Sequence, residues 1–577
     1  MYFNRVIVSL AMLIVGSWLA AFVQTNAGEV KVHDIRFVGS SGESMSALLY
    51  VPRGVTSENK APGILAVHGY INSRETQSGF AIEFARRGFV VLALDQRGHG
   101  FSDPPAFAAG FGGPDGLAYL RGLPFVDTGN IGLEGHSMGG WASLAAAATD
   151  ADGYQAMVLE GASTGTMGAP EGTPEFPRNV LVVYSQYDEF AQFMWGARTA
   201  PDIVETDKLK TLFDTDTSVE VGKLYGDIEA GTARKLTQPA VTHPGDHLSR
   251  RAIGDAAAWF QRVLDGGNDL PASDQIWYWK ELGTLIALVG LIALIYPLVE
   301  WVVSWPFFRP VTGTPLGHVS NDTASLAITG SLMAIIPALT FFPLQVLASY
   351  IIPANLVLPQ QMTNGIMLWA LGNAAIMLGL FKWWRDQRHV ERVDLAMPTD
   401  AVIVVRSALA AGICCGFLYG ALMLADYFFT IDFRFWVVAL KLMSPAHFQM
   451  FLIYLLPFTA FFIVLSMALH NQLRVAHRSI AADTCINVGV LALGFVVLLL
   501  IQYIPLFAGS TMTIASQPLL TILAIQFVPL MTVVAIISTW CFHKTRQIWV
   551  GAFINSIFVT WYIVAGQATQ AVPMGMG

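Results

Sequence analysis

Ile131-Gly132-Leu133-Glu134-Gly135-His136-Ser137-Met138-Gly139-Gly140 runs from an apolar segment through Gly135-x-Ser137-x-Gly139 into the small-residue segment 138–148. The pattern predicts a strand at 130–134, a sharp turn at Ser137 and a helix over 138–148. A serine on such a turn sits at strained backbone angles with crowded neighbours, so glycines flank it. The helix N-terminus behind it favours developing negative charge. With 52 Gly in 577 residues, Gly-x-Ser-x-Gly alone says little. Its place between strand and helix is what makes Ser137 a candidate nucleophile.

A nucleophilic serine needs a base and an acid to orient that base, following it in the chain in the order acid, then His. Asn179-Val-Leu-Val-Val-Tyr-Ser-Gln-Tyr-Asp188 is an apolar strand with an Asp a few residues past its end, and Glu189 is the close competitor. Lys235-Leu-Thr-Gln-Pro-Ala-Val-Thr-His243 is a short strand, a Pro and then a His, which makes His243 the candidate base; His247 is the rival. Two backbone N–H groups should hold the oxyanion. They are assigned to Met138, next to the nucleophile, and to Tyr70, in the loop His68-Gly69-Tyr70 after the strand Ile64-Leu-Ala-Val67.

The same alternation extends on both sides. Strands are predicted at 32–38, 45–51, 63–67, 89–94, 130–134, 156–160, 180–184 and 234–238, and helices near 75–87, 114–122, 138–148 and 249–264. The first two strands form a hairpin; helices separate the rest. This predicts a mostly parallel sheet with helices on both faces. Residues ~30–265 resemble the α/β-hydrolase superfamily. Gly135-His-Ser-Met-Gly-Gly140 resembles the elbow of its lipases, esterases and polyester hydrolases, and His68-Gly69 its oxyanion loop. Gly88-Phe-Val-Val-Leu-Ala-Leu-Asp-Gln-Arg-Gly-His-Gly-Phe-Ser102 resembles a strand and turn of that family, with Asp95 and Arg97 in structural roles. The resemblance implies a serine hydrolase and is weak on substrate.

Composition bounds the rest. Apolar residues make up 54% of the chain and charged ones 13%, too apolar for an all-soluble protein. Gly28 to Lys280 holds 20 Lys and Arg against 31 Asp and Glu, and an acidic front half argues against nucleic-acid binding. Cys414, Cys415, Cys485 and Cys541 all lie in apolar stretches, without metal-ligand spacing. Val6–Val23 is a signal peptide or an uncleaved anchor. Segments of spanning length follow near 282–303, 323–345, 364–383, 401–424, 448–469, 484–504, 516–541 and 547–566, an all-α transmembrane bundle of about eight helices. The expected division is 1–27 signal or anchor, 28–265 α/β-hydrolase domain, 266–281 linker and 282–577 membrane domain.

Alternate loops hold Arg309; Lys382, Arg385, Arg388 and Arg392; Arg474 and Arg478; Lys544 and Arg546. The basic set should be cytoplasmic, which places the front domain outside the cytoplasm, at the cell (plasma or inner) membrane. Arg406, Asp426 and Asp483, with His389, His447, His470, His477 and His543, fall near segment ends, where interfacial roles are the expectation. A stretch at 425–445 with acidic, basic and aromatic residues is expected along the outer interface, facing the front domain. Phe190, Phe193, Met194 and Trp195 are candidates for an acyl pocket or lid, or for ordinary helix packing. The expected activity is hydrolysis of an ester, small or lipid, beside the bilayer, with no cofactor and no metal. Acyl transfer with the same residues, and a transport or sensing protein whose front domain only binds, are the alternatives. The oligomeric state is left open.

Overall fold

A computed structural model of the chain describes residues 2–313, 323–388, 395–475 and 478–573. Arg392, His389 and His477 lie outside the described residues. After α1 (Tyr2–Gln24) come β1 (Val30–Val38), β2 (Ser44–Pro52), β3 (Ala61–Val67), α2 (Ser78–Arg86), β4 (Val90–Asp95), α3 (Gly113–Arg121), β5 (Val126–His136), α4 (Met138–Thr149), β6 (Ala156–Glu160) and β7 (Val180–Val183). Then follow α5 (Ala191–Trp195), α6 (Asp207–Leu212), β8 (Leu224–Tyr225), β9 (Arg234–Thr237) and α7 (Arg250–Val263).

The strands form one sheet in the order β1-β2-β4-β3-β5-β6-β7-β9-β8. Pairing is parallel from β4 through β3, β5, β6 and β7 to β9, and antiparallel at the two edges. Successive strand residues point to opposite faces, and both faces are covered. Leu65, Val67, Leu92, Leu94 and Leu133 pack with Leu117 of α3 and Leu144 of α4. Ile64, Ala66, Val91 and Ala93 pack with Phe84 of α2 and Phe260 of α7 on the other side. Because both faces are buried, the central strands read as continuous apolar runs rather than alternating ones. The two-residue edge strand β8 is absent from the sequence expectation; two residues carry no periodic signal.

The second half is helical: α8 (Trp277–Val303), α9 (Thr323–Leu339), α10 (Phe341–Ile351), α11 (Gln361–Arg388) and α12 (Ala401–Phe429), then the hairpin β10 (Phe433–Phe435) and β11 (Val438–Leu440). α13 (Pro445–Met467), α14 (Ile480–Phe507), α15 (Pro518–Thr545) and α16 (Trp549–Gly566) complete it. With α1, the described residues hold eight helices long and apolar enough to cross a membrane, while α9 and α10 form a pair bent by 45°. The protein is a multi-pass membrane protein. Pro343 cannot donate to the Leu339 carbonyl, which breaks the ladder where the pair bends.

The connection between the halves is tied down. Arg87 donates to the carbonyls of Pro271 (2.6 Å) and Asp274 (3.0 Å), Arg86 pairs with Asp274 at 2.9 Å, and Glu83 Oε1 accepts from the N–H groups of Ile276 and Trp277. The sheet domain therefore rests against the start of α8, where Lys280 Nζ also donates to Ser78 Oγ at 2.8 Å.

Candidate active site

β5 delivers its last residues to a turn at Ser137, which adopts φ 56° and ψ −120°, and α4 begins at the next residue. This left-handed backbone at a non-glycine residue is strain held in place by its surroundings. The flanking glycines are a packing requirement. A Cβ on Gly135 would overlap the Gly139 backbone, one on Gly139 the Val67 carbonyl, and one on Gly140 the Ala162 methyl. Ser137 N–H donates to the Glu160 carbonyl of β6 at 2.7 Å, which fixes the turn against the sheet.

Asp188 follows β7 and His243 follows β9, and a bridge between Tyr187 and Thr242 draws the two loops together. His243 Nδ1 and Asp188 Oδ2 are 2.8 Å apart. The other carboxylate oxygen of Asp188 accepts from Tyr184 O–H (3.1 Å) and from Phe190 N–H (2.8 Å), so the acid is held from three sides. Burial disfavours the charged imidazole, but the attraction of Asp188, its hydrogen bond, and the charges of Glu189 and Asp246 outweigh it, and the His243 pKa is raised. His247, the rival, lies against His136 with ring centroids 4.2 Å apart and the rings tilted by 53°, and both its ring nitrogens are buried and unpaired. Burial holds its pKa well below the usual value. Of the two histidines it is therefore His243 that meets a carboxylate. Glu189 meets the histidine through its backbone instead: its Oε2 accepts from His243 N–H at 2.8 Å.

Ser137, His243, Met138 and Tyr70 line a single cavity of about 640 Å³. Gly69 brings the Tyr70 loop against the serine, and a Cβ there would stand 3.1 Å from Ser137 Cβ. Phe190, Phe193 and Met194 line the same cavity. Trp195 does not; it packs edge-on against Tyr184 in the core. Among the described residues no group of three or more His, Cys, Asp or Glu is arranged to hold a metal ion.

Residues 62–197 match the family model described as "alpha/beta hydrolase fold". The chain carries an α/β-hydrolase domain. Among solved structures, a dienelactone hydrolase-like promiscuous phosphotriesterase from metagenomic libraries is 15% identical, covering 41% of this chain and all of its own, with a TM-score of 0.30. A dienelactone hydrolase from Anabaena variabilis is 17% identical over 41% of this chain and 99% of its own (TM-score 0.28). An acylaminoacyl peptidase from Pyrococcus horikoshii is 15% identical over 42% of this chain and 43% of its own (TM-score 0.30). Among curated protein sequences none matches.

The hydrolase domain does not build the cavity alone. Trp436 from the β10–β11 hairpin, Leu519, Ile522 and Gln526 from α15, and Gln570 beyond α16 complete its wall. Trp436 Nε1 donates to the Pro244 carbonyl at 2.6 Å, beside His243. Gln570 Nε2 donates to Tyr70 O–H at 2.8 Å. Tyr503 of α14 donates to Glu189 Oε1 at 2.6 Å, so one carboxyl joins the backbone of the site histidine to a membrane helix. Burial first, and then the Asp188 charge, push the Glu189 pKa up to about 7. A buried ion cluster seats the hairpin: Arg434 lies on Asp432 (2.6 Å) and near Glu75 (3.8 Å), and Glu75 also pairs with Arg74 (3.0 Å). The 425–445 stretch thus lies against the hydrolase domain. None of Trp436, Tyr503, Gln526 or Gln570 carries a local sequence signal, because each reaches the site through packing between distant segments.

Proposed function

We propose that this chain is a membrane-embedded serine hydrolase that cleaves carboxylic esters on the non-cytoplasmic face. The observation that carries the reading is the Asp188–His243 hydrogen bond in the same cavity as a strained Ser137 at a helix N-terminus. Ser137 Oγ attacks the ester carbonyl carbon while its proton passes to His243, whose imidazolium Asp188 stabilises. The charge that develops on the carbonyl oxygen meets the backbone N–H groups of Tyr70 and Met138. The proton on His243 then goes to the leaving alkoxide, which departs as the alcohol. Water, deprotonated by His243, splits the acyl-enzyme and releases the acid. Ser137→Ala should abolish both fluorophosphonate labelling and ester hydrolysis in folded protein; labelling that survives removes the assignment.

Charge supports the side of the membrane. The hydrolase domain lies at one end of the bundle, and Arg309, Lys382, Arg385 and Lys544 at the other, where Lys544 pairs with Glu300 and the Phe307 carbonyl accepts from Arg406. Basic loops favour the cytoplasmic side. Transfer of the acyl group to an acceptor other than water is a second reading, favoured by the wall that α15 and the hairpin place over the cavity. Added alcohols that divert product from acid to new ester would support it.

A further inference from the structure

The bundle carries a second cavity, of about 800 Å³, which opens toward the lipid-facing surface. One wall is α14 from Ile486 to Ile501; α9 and α10 form the other. The walls touch at Gly494, where a Cβ would overlap the Ala334 carbonyl, whereas a Cβ on Gly489 would meet open space. The lining is mostly apolar, and Leu339 and Leu493 are 70% and 56% exposed on a surface that faces lipid in a bilayer. At the hydrolase end the groove reaches Ile514, Ser516 and Gln517, and Ser516 also lines the cavity that holds Ser137. The connecting segment is fixed: Ile514 N–H donates to Gln502 Oε1 (2.8 Å), Thr513 to the Ile501 carbonyl (2.6 Å) and Gln502 Nε2 to Thr521 (2.8 Å).

We propose that this groove takes the acyl chain of a membrane lipid ester and leads its carbonyl past Ser516 to Ser137. The proposal rests on the serine-hydrolase reading and names the substrate class for that site. The groove runs along about 22 Å of α14, at about 1.5 Å per residue. That is longer than one leaflet of a hydrocarbon core about 30 Å thick, so a full-length chain fits in the direction it already takes in the bilayer. Each methylene drawn into water costs free energy; a groove that meets the catalytic cavity at one residue keeps the chain in apolar surroundings while the ester reaches the serine. The bend between α9 and α10 lies in the wall of this groove, with Leu339, Phe342 and Pro343 among its lining.

The test compares the full-length protein in phosphatidylcholine vesicles on p-nitrophenyl palmitate and p-nitrophenyl acetate. Gly489→Trp and, separately, Val497→Trp fill the groove away from the catalytic cavity. Each should lower the palmitate-to-acetate ratio of kcat/KM at least about tenfold, the scale on which lost pocket contacts act. Gly416→Trp, which also adds its side chain to open space but on α12, should leave that ratio where it is. The acetate rate and fluorophosphonate labelling of each variant report an intact site. Ratios that stay at the wild-type value in both groove variants overturn the proposal and leave the hydrolase reading standing, the groove then holding only annular lipid. Wild-type protein that hydrolyses acetate but not palmitate overturns it equally. Wild-type protein that neither labels nor hydrolyses either ester overturns the reading on which the proposal rests.

Discussion

At Glu189 the hydrolase domain and the bundle share one carboxyl group. In the proposed mechanism His243 must be neutral to accept the Ser137 proton, so kcat/KM should rise as pH climbs through the His243 pKa. Glu189, pushed up to about 7, gains its charge as pH rises past neutral, and that charge raises the pKa of His243. Glu189→Gln keeps an oxygen for His243 N–H and removes the charge, so the acidic limb of the profile should move to lower pH. An upward shift would contradict the arrangement. The neighbouring histidines separate by role: His243→Ala should cost about 10²–10⁴-fold in turnover and His247→Ala no more than about tenfold. The reverse order would move the base to His247. Ser137, Asp188 and His243 could be picked out as candidates from sequence because each ends a local pattern: an apolar run, then a turn, then the polar residue. Tyr503 and Gln570 could not, since they lie 314 and 500 residues from their partners.

At the scale of elements, α1 is the clearest gain over sequence. Its apolar pattern fits a cleaved leader and an anchor equally well. In the structure it packs backbone to backbone against α8. A Cβ on Gly16 would stand 2.6 Å from Ala287 N, one on Gly283 2.7 Å from Ala20 N, and one on Gly290 2.8 Å from Met12 Cβ. Small residues of this kind let membrane helices approach closely. The expected mature protein therefore keeps α1, and a tag on its N-terminus should co-migrate with the chain. Gly16→Leu overpacks the contact and should cost about 1–3 kcal/mol, read as a lower Tm in detergent; a chain that begins near Gly28 would refute the role. Span positions were legible because length and hydropathy suffice to mark them. The bend between α9 and α10, and the hairpin that fills part of 425–445, were not, because apolar runs report length and say little about axis direction.

For the molecule as a whole, orientation is the property from which the others follow. In intact cells a membrane-impermeant maleimide should label Glu220→Cys, exposed on the hydrolase domain, and should spare Lys382→Cys until the membrane is opened. Labelling with the opposite preference would invert the topology. The sheet domain and the loops that carry Ser137, Asp188 and His243 are made before the spans that wall the site, and the wall is closed by chain beyond α16. There Thr569 exchanges backbone hydrogen bonds of 2.8 Å with Gly98 and Ala106, and Gln570 reaches Tyr70. During synthesis, a ribosome has therefore produced every residue of the Ser137–Asp188–His243 set 327 residues before it produces Gln570. The nascent chain passes through a long interval with the proposed nucleophile but no finished pocket. Ending the chain after Gly566 would make that interval permanent, and the expected product inserts normally and hydrolyses esters poorly.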